Sequence, residues 1–191
     1  MVGLLRLLTC LVVLAAPLAA DPVRYDLVPS ESRVGFIWSF GPDRIRGEMP
    51  VSAADVVIDF DRVAASRVGV DIDVSRAEAG FPFADQAMKG PKVLWSDRFP
   101  TIAFRSTRVT AHGGARATVE GDLTIRGVTR PVALDATVYR SEGSLPEDLD
   151  HLTILLKTRV SRAAFGADGW SDMVGDTVDL EILAAIAARG T

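Results

Sequence analysis

The sequence predicts an all-β chain of antiparallel strands folded as a single domain. Three observations carry this. Apolar and polar residues alternate with period two through most of the chain after residue 20. Turn signals break that alternation at short intervals, at Gly41-Pro42-Asp43, His112-Gly113-Gly114, Gly127–Pro131 and Ser141–Pro146. No linker, internal repeat or low-complexity tract divides the chain. One wet and one dry face per strand is the pattern of antiparallel sheets rather than of buried parallel ones.

Taken in order, residues 1–20 read as a secretory signal peptide. Arg6 supplies the positive start, Leu7–Leu18 an apolar stretch, and Ala19-Ala20 small residues before polar Asp21. The apolar run is shorter than the roughly 20 residues that span a bilayer as a helix. The expected mature domain is therefore 21–191. Cleavage there removes Cys10, the only cysteine, so neither disulfides nor Cys-based metal sites are expected to support the fold.

The first strand signal places Val34, Phe36, Trp38 and Phe40 on one face and Arg33, Gly35, Ile37 and Ser39 on the other. Ile45–Met49 follows, then Val56, Ile58 and Phe60 with Asp59 turned away. Val68, Val70, Ile72 and Val74 interleave with Gly69, Asp71 and Asp73. Ser75–Phe99 interrupts the pattern, with a short helix expected over Ala84–Lys89; so long a connection suggests a functional or capping loop. Strands resume at Ile102–Ser106, Val119–Ile125, Val132–Val138, Leu152–Val160 and Val178–Ile182, giving about nine candidates.

Short strands at this spacing build a sandwich or a barrel, and periodicity alone does not separate a filled interior from a cavity. The aromatic residues tilt this choice towards a ligand-holding barrel, although an ordinary aromatic core is the simpler account of them taken alone. Phe36, Trp38, Phe40, Phe81, Phe83, Trp95, Phe99, Phe104, Phe165 and Trp170 gather on the dry faces and in the long loop.

The residues also resemble the YceI-like family of periplasmic lipid-binding proteins, over Tyr25 to about Ala185. The opening Tyr25–Phe36 is similar to that family's first motif, with Val28 and Glu31 where Asp and His are usual. Asp85–Gly90, Phe99–Ser106 and Gly121–Val132 resemble its central motifs. Ser161-Arg162, Phe165-Gly166 and Val174–Val178 resemble its closing block. The resemblance implies an extended, lipocalin-like antiparallel β-barrel with a deep apolar lumen and a short helix in the long central loop. It also implies a long amphiphile as ligand, such as a polyisoprenoid or an isoprenoid quinone.

On that reading, Phe36, Trp38, Phe40, Phe104, Leu123 and Leu134 are expected to line the lumen, with Phe81, Phe83, Trp95 and Phe99 over one mouth. Lys89, Lys92, Arg126 and Arg130, in or beside turns, are the candidates to meet a polar head, although solvated surface charge is the simpler role for each. Chemistry is sparsely signalled. His112 and His151 have no second ligand at metal spacing, and neither a nucleophile elbow nor a phosphate loop is present. The carboxylates Asp59, Asp71, Asp73, Asp179 and Glu181 are expected on wet faces, for solubility. A net charge of −4 argues against nucleic acid. A non-catalytic lipid carrier or store in the periplasm is thus expected, without cofactor or metal. Transient contact with the inner membrane and pairing of two barrels are compatible with it. The alternatives are a barrel enzyme acting on an isoprenoid or other small apolar substrate, and a ligand-free interaction module of the envelope.

Overall fold

The computed structural model describes residues 21–140, 143–145 and 148–190; the signal-peptide reading of residues 1–20 lies outside them. Among the described residues ten strands form: β1 Val23–Leu27, β2 Arg33–Phe40, β3 Asp43–Met49, β4 Val51–Ile58, β5 Arg67–Asp73, β6 Thr101–Ala111, β7 Arg116–Ile125, β8 Val128–Arg140, β9 His151–Ser161 and β10 Thr177–Ala188. Helix α1 covers Pro82–Lys89.

Eight strands close on themselves in the order β1-β4-β5-β6-β7-β8-β9-β10, and β10 returns to β1. Every pairing is antiparallel. Closure removes the exposed sheet edges that an open all-β fold must protect. The β2–β3 hairpin is attached to the other half of β10, through Asp179–Leu183 against Ile37–Arg33. It lengthens the wall at one end of the barrel. β1 and β2 thus follow one another along β10, interrupted by a 3-10 turn at Pro29–Glu31. Ser32 repairs the interrupted ladder: its hydroxyl donates to the Ala185 carbonyl at 3.2 Å and accepts the Ala185 N–H at 2.9 Å. Beyond β3, Glu48 exchanges two backbone hydrogen bonds with Glu78, so the segment after β5 completes the wall.

Several short-range expectations change. The predicted turn over Gly127–Pro131 narrows to Arg126-Gly127, because both residues adopt left-handed φ values of 53° and 76°. That is the twist a two-residue hairpin needs. Pro131 lies inside β8 opposite Asp122, where β8 is paired only with β7, a position that tolerates the missing N–H. Asp59 is not on a wet face. It is 1% exposed, and its carboxylate accepts the Asp61 and Arg62 N–H groups and the Arg62 guanidinium. There it caps the loop that seals one end of the barrel.

Tyr25 is 1% exposed at that same end, packed with Val56, Leu152 and Ile186. Its hydroxyl donates to the Leu149 carbonyl at 2.9 Å. Burial, aided by the negative charge of Asp150, pushes the phenol up to about 12. The unfolded phenol ionises near 10, so the stabilisation is complete below pH 10 and is lost as pH rises towards 12. Urea midpoints of wild type should fall across that window, and Tyr25→Phe should flatten the fall. Equal slopes for both proteins would remove Tyr25 from the alkaline transition.

Candidate functional site: an apolar lumen open at one end

An eight-stranded barrel is just wide enough either to be filled by its own side chains or to hold one small ligand. Here the inward faces of the strands are almost wholly apolar, Thr158 of β9 being the exception, yet a cavity of about 580 Å³ remains, within the range of sites that enclose small molecules. β2 contributes Val34, Phe36, Trp38 and Phe40; β6 contributes Phe104, β7 Leu123, β8 Leu134, and β10 Val178, Leu180 and Ile182. These are the dry-face residues of the alternating pattern.

Two glycines shape the wall. A Cβ on Gly47 would come within 2.2 Å of the Phe36 ring, and one on Gly121 within 2.6 Å of the Phe104 ring. Each ring lies over the bare backbone of a neighbouring strand, which thins the wall side of the lumen and leaves its axis open. Phe104 is 8% exposed and belongs to the main core.

The open end is built from β2, α1 and the segment between β9 and β10. Helix α1 turns Ala84, Ala87 and Met88 into the cavity, at i, i+3 and i+4. Trp38 donates its indole N–H to the Ala79 carbonyl at 3.1 Å and packs against Phe40 and Phe81, with ring centroids 6.2 and 6.3 Å away. Around it Phe40, Phe81, Phe83, Trp170 and Met173 form a solvent-exposed apolar rim, Phe83 with 69% of its surface open. Arg162 holds the β9–β10 segment in place. It is 9% exposed and donates to the carbonyls of Ala167, Gly169, Val174 and Gly175. Burial lowers its pKa from the ordinary arginine value, partly offset by Asp176 and Asp168.

Of the ten lumen candidates, Phe36, Trp38, Phe40, Phe81, Phe83, Phe104, Leu123 and Leu134 border the cavity. Trp95 and Phe99 do not. Trp95 adopts a left-handed φ of 51° that turns the chain, and the two rings meet edge to face at 6.0 Å outside the cavity. Arg98 and Arg126 stack on Trp95 at 4.8 and 5.8 Å. The inward place falls instead to Val93 and Leu94, which no alternation marks in an irregular loop. Among the head-group candidates, Lys89 ends α1 away from the cavity lining, and Lys92 lies 4.8 Å over the Trp170 ring at the rim. Arg126 donates to the Val93 carbonyl and Arg130 to the Ala164 carbonyl. The sequence marks Met88 and Arg162 only as motif residues, not as lining, and leaves Leu94 and Met173 unmarked; the i, i+3, i+4 spacing in α1 is the signal that points Met88 inward.

A closed antiparallel barrel with a deep apolar lumen and one open, apolar mouth defines a lipocalin-like class of cavity protein. Within that class, residues 25–186 match the family model of the YceI-like domain, and the chain belongs to that family. A UPF0312 protein of Vibrio vulnificus is 28% identical over 168 residues, covering 84% of this chain and 88% of its own. Among solved structures, BcnA of Burkholderia cenocepacia superposes with a TM-score of 0.74 at 22% identity, covering 84% of this chain and 99% of that one. A polyisoprenoid binding domain from Saccharophagus degradans gives a TM-score of 0.65 at 12% identity, covering 87% of this chain and 99% of that domain.

Proposed function

We propose that this protein binds the apolar tail of a long-chain amphiphilic lipid, a polyisoprenoid or isoprenoid quinone, and carries or stores it in the periplasm without chemical change. The observation that carries the reading is the lumen itself, a dry tube of about 580 Å³ walled by aliphatic and aromatic side chains. Moving hydrocarbon into it from water is favourable by roughly 25 cal/mol per Å² buried. The structural likeness to a polyisoprenoid binding domain supports the ligand class. A binding rather than catalytic role is supported by the match to the YceI-like domain and the likeness to a polyisoprenoid binding domain. His112 is exposed and hydrogen-bonded to Thr118, on the outside of a hairpin.

Titrating delipidated protein with a polyisoprenol tests this. Trp38 borders the lumen, so its emission should shift to the blue on filling, and Trp38→Phe should lose that part of the change. An unchanged spectrum at saturating lipid, with wild type folded, would contradict the reading.

Export is supported by the composition of residues 1–20. The mature protein should begin near Asp21 in a periplasmic fraction; an intact Met1 in the membrane fraction would contradict export. The exposed rim supports exchange of cargo against a membrane, because it continues the lumen's apolar surface outwards. Phe83→Asp should slow transfer of lipid from vesicles severalfold while leaving bound lipid in place. Unchanged transfer would place exchange elsewhere.

A further inference from the structure

We infer that the lumen selects its ligand by the tail and is nearly indifferent to the head group, an inference that rests on the tail-binding function proposed above. The polar side chains bordering the cavity are Ser32, Ser66, Thr158 and Arg162, and their hydrogen bonds run mainly into the wall. Ser32 gives and takes its bonds with Ala185. Thr158 donates to the Ala133 carbonyl, and Ser66, at the sealed end, accepts the Asp59 N–H. Four of the five guanidinium donors of Arg162 go to loop carbonyls. The Trp38 N–H at the mouth is committed to Ala79. Among the described residues, no buried side-chain nitrogen or oxygen lacks a partner.

A site that discriminates polar groups does so with donors or acceptors left unpaired when the wrong ligand binds. This lumen holds almost none in reserve. A phosphate, hydroxyl or quinone ring drawn inside would lose water without gaining a partner. The head therefore stays at the mouth, in water. Of the four cations that sequence position offers for it, Arg126 and Arg130 donate to backbone carbonyls outside the cavity lining, Lys89 lies away from the lining, and Lys92 at the rim holds its ammonium over the Trp170 ring. Tail length then sets affinity, each added carbon burying more hydrocarbon until the tube is full.

Displacement of a fluorescent polyene alcohol from delipidated protein tests this with two series of competitors. One keeps a single isoprenoid tail and varies the head among alcohol, monophosphate and benzoquinone. The other keeps the alcohol and removes isoprene units one at a time. Dissociation constants should agree within about threefold across heads and, once the tail is too short to fill the tube, weaken at least tenfold for each further unit removed. A tenfold or larger dependence on the head at fixed tail would overturn the inference and leave the carrier function standing. Failure of every competitor and of the probe to bind would overturn both.

Discussion

Trp38→Asp is expected to abolish retention of a long apolar ligand, whereas Ile37→Asp, one residue away, is expected to be mild. Trp38 borders the lumen beside Phe40 and Phe81; Ile37 faces the outer groove with Arg33 and Arg46. A carboxylate at position 38 would stand in a tube with almost no spare donor, where it stays charged at a cost of several kcal/mol or takes up a proton. A penalty of about 3 kcal/mol is roughly a hundredfold in affinity. The substitution also removes the indole bond to Ala79, so the comparison is made on protein shown to be folded by its far-UV spectrum. Trp38→Ala and Phe104→Ala complete the test. Phe104 lies on Gly121 within the main core, so its truncation should cost about 3–5 kcal/mol of stability. Trp38, half-buried at the mouth, should cost less stability and more ligand. Two Ala variants that melt far below wild type but still carry lipid would make both side chains core residues.

Arg162→Met should destabilise the fold about as much as truncating a core phenylalanine. Its guanidinium satisfies four carbonyls of the segment that shapes the mouth, and methionine of similar length satisfies none. Each buried carbonyl left without a donor costs about 1–3 kcal/mol, reduced where the loop opens to water. A net loss of about 4 kcal/mol lowers Tm by roughly 10 °C in a chain of this size. Arg162→Lys should fall between, since an ammonium keeps the charge but not the planar fork. Amide exchange in residues 163–176 should accelerate before the rest of the barrel. A Tm for Arg162→Met within two degrees of wild type would show that the segment is held by other contacts, such as the Phe40–Val174 bridge.

These residues also mark what was legible in the sequence. Wherever a strand alternates cleanly, as in Val68 to Val74 or Leu152 to Val160, the dry face is the one that meets the lumen or the core. Two-residue periodicity fixes facing because a slip by one residue would expose the whole apolar set. β1 is not marked in the same way, because the five residues Val23–Leu27 ahead of Pro29 are too short a run to carry the pattern. The loop goes unmarked for another reason: irregular backbone has no period, so aromatic size suggested Trp95 and Phe99 as lining where the chain presents Val93 and Leu94. Burial of Asp59 depends on partners two and three residues onward in a capped turn, a geometry that alternation assigns to solvent. The resemblance of Ser161–Gly166 to a family block marked Arg162 as a motif residue; only the fold shows that it ties the mouth together.

The central claim is that the lumen carries a long lipid. Native mass spectrometry of protein purified gently from the periplasm tests it most directly. The account predicts a folded species heavier than the polypeptide by one long-chain isoprenoid mass, which collisional activation releases intact. A compact monomer at the bare polypeptide mass, unchanged after incubation with polyisoprenoid vesicles, would contradict it.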